Sequence, residues 1–81
     1  MFSHGVTAVS LAGRDKDTYY AVKFTDERYV YVCDGKYHPL DNPKRKNPKH
    51  LSLIGTKLTE EQMKSDRNLR KGLAVIKSAG K

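Results

Sequence analysis

The chain has no tryptophan, one cysteine, three prolines and no long apolar run. Each scarcity removes a class of protein. The single thiol, Cys33, cannot close an intrachain disulfide, so the staple of most small secreted domains is missing and a reducing, cytoplasmic setting is expected. No stretch approaches the roughly 18 apolar residues of a membrane-spanning helix, and Met1, Phe2, Ser3 and His4 do not open a charged-then-apolar leader. Only 37% of the 81 residues are apolar, and mean hydropathy is −0.74. A chain of this size buries about 60% of its unfolded surface. One domain with a thin core, shielded by long charged side chains, is the expectation.

Charge is abundant and unevenly placed. Lys and Arg number 16 against 9 Asp and Glu, for a net +7. Residues 1–40 balance, with five of each sign, so the whole excess falls in residues 41–81. Between Pro43 and Gly55 stand Lys44, Arg45, Lys46, Lys49 and His50 with no acid. Such a block sets up a strong local positive potential whose natural partner is a polyanion; the plainer alternative is a charged, solvated loop.

Val6 to Leu11 is β-branched and partly alternating and stops at Ala12-Gly13, which predicts a first strand. After the charged connection Arg14 to Thr18, Tyr19 to Phe24 predicts a second, and Tyr29 to Cys33, the most β-prone segment, a central third. Asp34-Gly35 is a hairpin signal, so Lys36 to His38 should fold back as a fourth strand, cut short by Pro39. Pro43 and Pro48 make the basic block an extended loop, and Leu51 to Ile54, ending at Gly55, reads as the strand that closes a barrel. Thr59 with Gln62 is a capping-box pattern and predicts a helix start; Ser65 or Asp66 offers a second. Leu69, Leu73 and Ile76 form one apolar helical stripe that should dock on the barrel, interrupted by Gly72 and stopped at Gly80.

Catalytic chemistry finds little support. The carboxylates sit mostly in turns beside lysines or arginines, with nothing to raise their pKa for acid/base work. Cys33 in a strand reads as packing, with His38 nearby in no catalytic pattern, and His4, His38 and His50 lack the spacing of a metal site. No glycine-rich phosphate loop occurs, so no enzyme activity, cofactor or metal is expected. Nucleic acid fits better. Lys44, Arg45, Lys46 and Lys49 on a proline-stiffened segment suit a sugar-phosphate backbone, and Asn47 and His50 either fix the loop or touch a base or 2′-hydroxyl. Tyr19, Tyr20, Tyr29, Tyr31 and Tyr37 supply aromatic faces, most of them for packing. Alternation puts Tyr29 and Tyr31 on one strand face and Val30 and Val32 on the other, leaving open which is core. Lys64, Arg67 and Lys71 form a basic helix side, which reads first as a solvated face.

The run Val9-Ser10-Leu11-Ala12-Gly13-Arg14-Asp15-Lys16, with Tyr20-Ala21-Val22 and Val32-Cys33-Asp34-Gly35, resembles the KOW motif of RNA-binding ribosomal and transcription-factor proteins. Asp41 to Leu51, through Pro43-Lys44-Arg45-Lys46-Asn47-Pro48-Lys49-His50, is similar to the signature of the eukaryotic-type large-subunit ribosomal protein family L-fourteen-e and its small bacterial relatives. The resemblance spans residues 3–55, and Asn68-Leu69-Arg70-Lys71 extends it weakly into the relatives' C-terminal helix. It implies a Src-homology-3-like β-barrel that binds structured RNA through the turn after the first strand, carrying Arg14 and Lys16, and through the basic segment. One departure is Asp17, where the KOW pattern has glycine.

The expectation is therefore a mainly β, small α+β protein. Residues 1–56 would form the KOW-type barrel and residues 57–81 a C-terminal helical extension. Its function would be binding of structured RNA, ribosomal RNA foremost, in translation. Arg14, Lys16, Lys44, Arg45, Lys46, Asn47, Lys49 and His50 would be the contacts. The competing expectation is a protein-interaction module that takes an acidic partner through the same surface.

Overall fold

β-branched and aromatic residues dominate the segments that become strands, and short polar turns between them favour antiparallel neighbours. The computed structural model describes residues 1–79. β1 (Val6–Ser10), β2 (Tyr19–Thr25), β3 (Val30–Cys33), β4 (Lys44–Lys46) and β5 (Leu51–Lys57) precede one helix, α1 (Asp66–Ala79), and a 3₁₀ turn, Pro48–His50, joins β4 to β5. The strands form one antiparallel sheet in the order β4-β3-β2-β1-β5. The protein is mainly β, with a helix against β2.

Four expectations are corrected. Lys36 to His38 is not a strand: Asp34 Oδ1 accepts from the Lys36 and His38 amides, which curls the chain into a loop. Pro39 has no amide to donate, and the Leu40 amide goes instead to Asp66 Oδ1, at 2.8 Å. The place beside β3 is taken by Lys44–Lys46, expected as loop, which pairs in the register Tyr31↔Arg45. β5 does not stop at Gly55. Gly55 has φ +93° where β5 gains two residues against β1, a bulge that lets the strand run on to Lys57. The capping box forms, with Gln62 N on Thr59 Oγ1 and Thr59 N on Gln62 Oε1, but it closes a single turn. The helix starts at the alternative signal, where Ser65 Oγ accepts from Asn68 N. Gly80, the expected stop, lies outside the described residues.

The core lies on both faces of the sheet. Ala8, Tyr20, Val22, Val30, Val32 and Leu51 form one cluster, with Phe2 against it. Val30 and Val32 are thus the inward face of β3, and Tyr29 and Tyr31 the half-buried outer one. On that outer face Ala21 and Cys33 meet Leu58, Met63, Leu69 and Leu73, so the stripe of α1 docks on the sheet as its spacing predicts, with Ile76 at the margin. Gly72 is buried at this contact: a Cβ there would stand 3.2 Å from Leu58 Cδ2 and 3.3 Å from Gln62 Nε2. Edge strands β4 and β5 share no ladder among the described residues, so the expected closing pairing is not seen and the sheet is open in its hydrogen bonding.

Candidate nucleic-acid interface

The loop between β1 and β2 carries four charged residues in a row, Arg14 to Asp17, and Asp15 organises its surroundings. Asp15, 15% exposed at its side chain, accepts from Ser10 Oγ and Lys46 Nζ on Oδ1, both at 2.9 Å. Its Oδ2 accepts from Tyr20 Oη at 2.7 Å and Lys44 Nζ at 3.2 Å. Burial pushes this carboxyl up, but the four donors, Tyr20, Lys46, Ser10 and Lys44, outweigh it and hold Asp15 well below the usual carboxylate range. The Tyr20 hydroxyl moves the other way, raised by burial and by donation to Asp15. The network bolts the β1–β2 loop to β4.

Alternation along β4 then divides the basic block. Lys44 and Lys46 turn toward Asp15, and Lys46 is buried, donating also to Ala12 O. Arg45 points to the other face, with its guanidinium 4.6 Å from the centre of the Tyr29 ring. Asn47 Oδ1 accepts from Lys49 N, which caps the 3₁₀ turn and gives that side chain a structural task. Lys49 and His50 are exposed on the turn, while the His50 carbonyl takes the Leu11 amide.

Arg14, Lys16 and Lys44 do come together. They line a groove of about 680 Å³ between the β1–β2 loop, the loop after β3 and the side of α1 that carries Arg70, Leu73, Ala74 and Lys77. Its other cations, Lys36, Arg70 and Lys77, were not singled out by sequence reasoning, nor was Tyr37 as a groove residue, 75% exposed with Lys36 Nζ 5.2 Å over its ring. The acids Asp15, Asp17 and Asp34 also face this space. A signal existed for the helix: Arg70 and Lys77 flank Leu73 and Ala74 at spacings of three and four, beside the apolar stripe. Of the three cations expected on one helix side, Arg67 and Lys71 lie on α1 while Lys64 falls in the turn before it, and all three are exposed and outside the groove lining.

Chemically the groove offers cations, aromatic rings and a hydroxyl, the equipment of anion and ring recognition. Cys33 is fully buried, and burial pushes its thiol up to about 12, so it stays protonated. No protein-family model and no curated protein matches the chain.

Proposed function

We propose that this protein binds structured RNA, ribosomal RNA foremost, as a non-catalytic cytoplasmic component of translation. The observation that carries the reading is the groove: six cations, Arg14, Lys16, Lys36, Lys44, Arg70 and Lys77, converge with Tyr19, Tyr37 and His38 on one concave surface. Phosphates are met by the cations, while ring faces and the apolar floor of Leu73 and Ala74 receive sugars or bases. Two further features support the KOW-type, Src-homology-3-like reading of the fold. The two edge strands, β4 and β5, are consecutive in the chain and joined by a single 3₁₀ turn, so one short connection links the two ends of the sheet. Asp17, standing where that motif has glycine, takes φ +73°, a conformation glycine adopts freely and aspartate tolerates.

The test is charge reversal at the exposed groove cations, Arg14→Glu with Lys16→Glu and Lys36→Glu. Lys46 is left alone because it belongs to the buried network. Each phosphate contacted contributes about −0.7 to −0.9 to the slope of log K against log salt, so the triple variant is expected to bind RNA more weakly with a slope shallower by about two. An unchanged affinity and slope would sink the assignment. Complexes from lysate that survive ribonuclease would favour the acidic-protein partner instead.

A further inference from the structure

The outer face of the sheet is covered by α1 only at one end. Cys33, Tyr31 and Tyr29 alternate onto this face of β3, and Cys33 lies beneath the helix while the two tyrosines lie beyond it. There the register aligns three strands in one row: Phe24 of β2 opposite Tyr31 of β3, and Tyr31 opposite Arg45 of β4. The Phe24 and Tyr31 rings are stacked, with centroids 4.4 Å apart and planes 16° from parallel. Phe24 is 48% exposed, so the stacked pair is open to solvent on its outer side.

The row is held rigid from the adjoining turn. Asp26 Oδ2 accepts from Tyr31 Oη at 2.7 Å, and Oδ1 accepts from the Arg28 and Tyr29 amides at 2.9 and 2.7 Å. One carboxylate thus fixes both the turn and the ring. A recess of about 320 Å³ opens beside it, lined by Asp26, Glu27, Arg28, Tyr29, Tyr31 and Arg45.

We propose that this row is a seat for an unpaired RNA base, separate from the groove; the proposal rests on the RNA reading and names what kind of RNA the protein prefers. The base stacks on Tyr31, which lines the recess and has Phe24 stacked behind it, since every nucleobase has a matching flat face. Arg45 and Arg28 supply charge for its phosphate, and the Glu27 carboxylate accepts from an amino group on the base edge. Two cations balanced by two acids suit a neutral ring with polar edges attached to one phosphate, and suit a phosphate track or an acidic peptide poorly. A duplex hides its base faces, so the occupant must be unpaired. Because the rings are already ordered, little side-chain freedom is lost when the base lands.

The test compares two RNAs: a blunt hairpin, and the same hairpin with a tail of unpaired adenosines. The tail is expected to tighten binding to the wild type about tenfold, the scale of one base stacked on an aromatic ring. Tyr31→Leu is expected to abolish that gain while leaving hairpin affinity and salt slope unchanged, and Phe24→Leu, which removes the ring stacked behind Tyr31, to reduce it severalfold. Phe24 is exposed enough to be replaced without unfolding, so it decides the matter if Tyr31→Leu is unstable. Equal affinity of the wild type for both RNAs, or a gain left undiminished by Tyr31→Leu or by Phe24→Leu, overturns the seat and leaves the groove reading intact. Failure to bind either RNA overturns the groove reading and the seat with it.

Discussion

Asp15 ties the β1–β2 loop to β2 and β4, because four donors share its one carboxylate. Removing one partner of a buried pair costs about 3–5 kcal/mol, since the other charge is left without compensation. Asp15→Asn is therefore expected to lower stability by about 3 kcal/mol, read as the shift of a urea unfolding midpoint at constant slope. Adding Lys46→Met should recover much of that loss, because it removes the stranded ammonium and leaves its apolar stem. A double variant no more stable than Asp15→Asn alone would contradict the role given to the pair. Of the residues expected to touch RNA, Lys44, Lys46 and Asn47 thus have structural partners, while Arg14, Lys16 and Lys49 remain exposed.

At the scale of elements, the loop after β3 and the start of α1 hold each other. Gly35 has φ +78°, and a Cβ there would meet the Asp66 carbonyl at 2.5 Å. Arg70 Nη1 also donates to the Gly35 carbonyl. Gly35→Ala brings positive-φ strain and a backbone collision together, each worth about 1 kcal/mol or more. The expected result is a fall in melting temperature with faster hydrogen exchange across α1; an unchanged exchange pattern would show that the contact does not seat the helix. The strands β1, β2 and β3 and the stripe of α1 were legible in the sequence because each is written in local periodicity. β4 was not, since Lys44-Arg45-Lys46 has no β-branched residue and is a strand only because β3 offers an unpaired edge and Asp15, about thirty positions earlier, neutralises two of its lysines. The hairpin signal at Asp34-Gly35 failed for a related reason: Pro39 and the Leu40–Asp66 bond draw the chain away to the helix. Arg14 and Lys16 were legible as cations of the turn after the first strand, but the groove they line with Lys36, Tyr37 and Arg70 was not, because a concave surface made by two loops and a helix exists only after docking.

For the whole molecule, the shifted groups set the pH range of stability. Asp15 is held low, so its contribution is complete above the carboxylate range near 4 and is lost as pH falls through it. Cys33, pushed up to about 12 by burial, and Tyr20, raised by burial and by Asp15, act in the opposite sense. Their contributions are complete below the unfolded values, about 8.5 for a thiol and 10 for a phenol, and are lost as pH rises past them. Urea midpoints measured from pH 3 to 10 should form a plateau from about 5 to 8 that falls on both sides. In Cys33→Ala the fall between about 8.5 and 9.5 should disappear, leaving the phenol limb above it; a wild type equally stable at 7.5 and 9.5 would contradict the thiol's share.

The position of Cys33 also bears on motion. It is the chain's single thiol, it is fully buried, and it lies between the sheet and α1. A reagent that consumes thiols can reach it only while the helix is lifted from β2 and β3, so the speed of that reaction counts how often the two layers come apart. The native chain carries its own clock for the opening of its helical layer, with no label to be introduced.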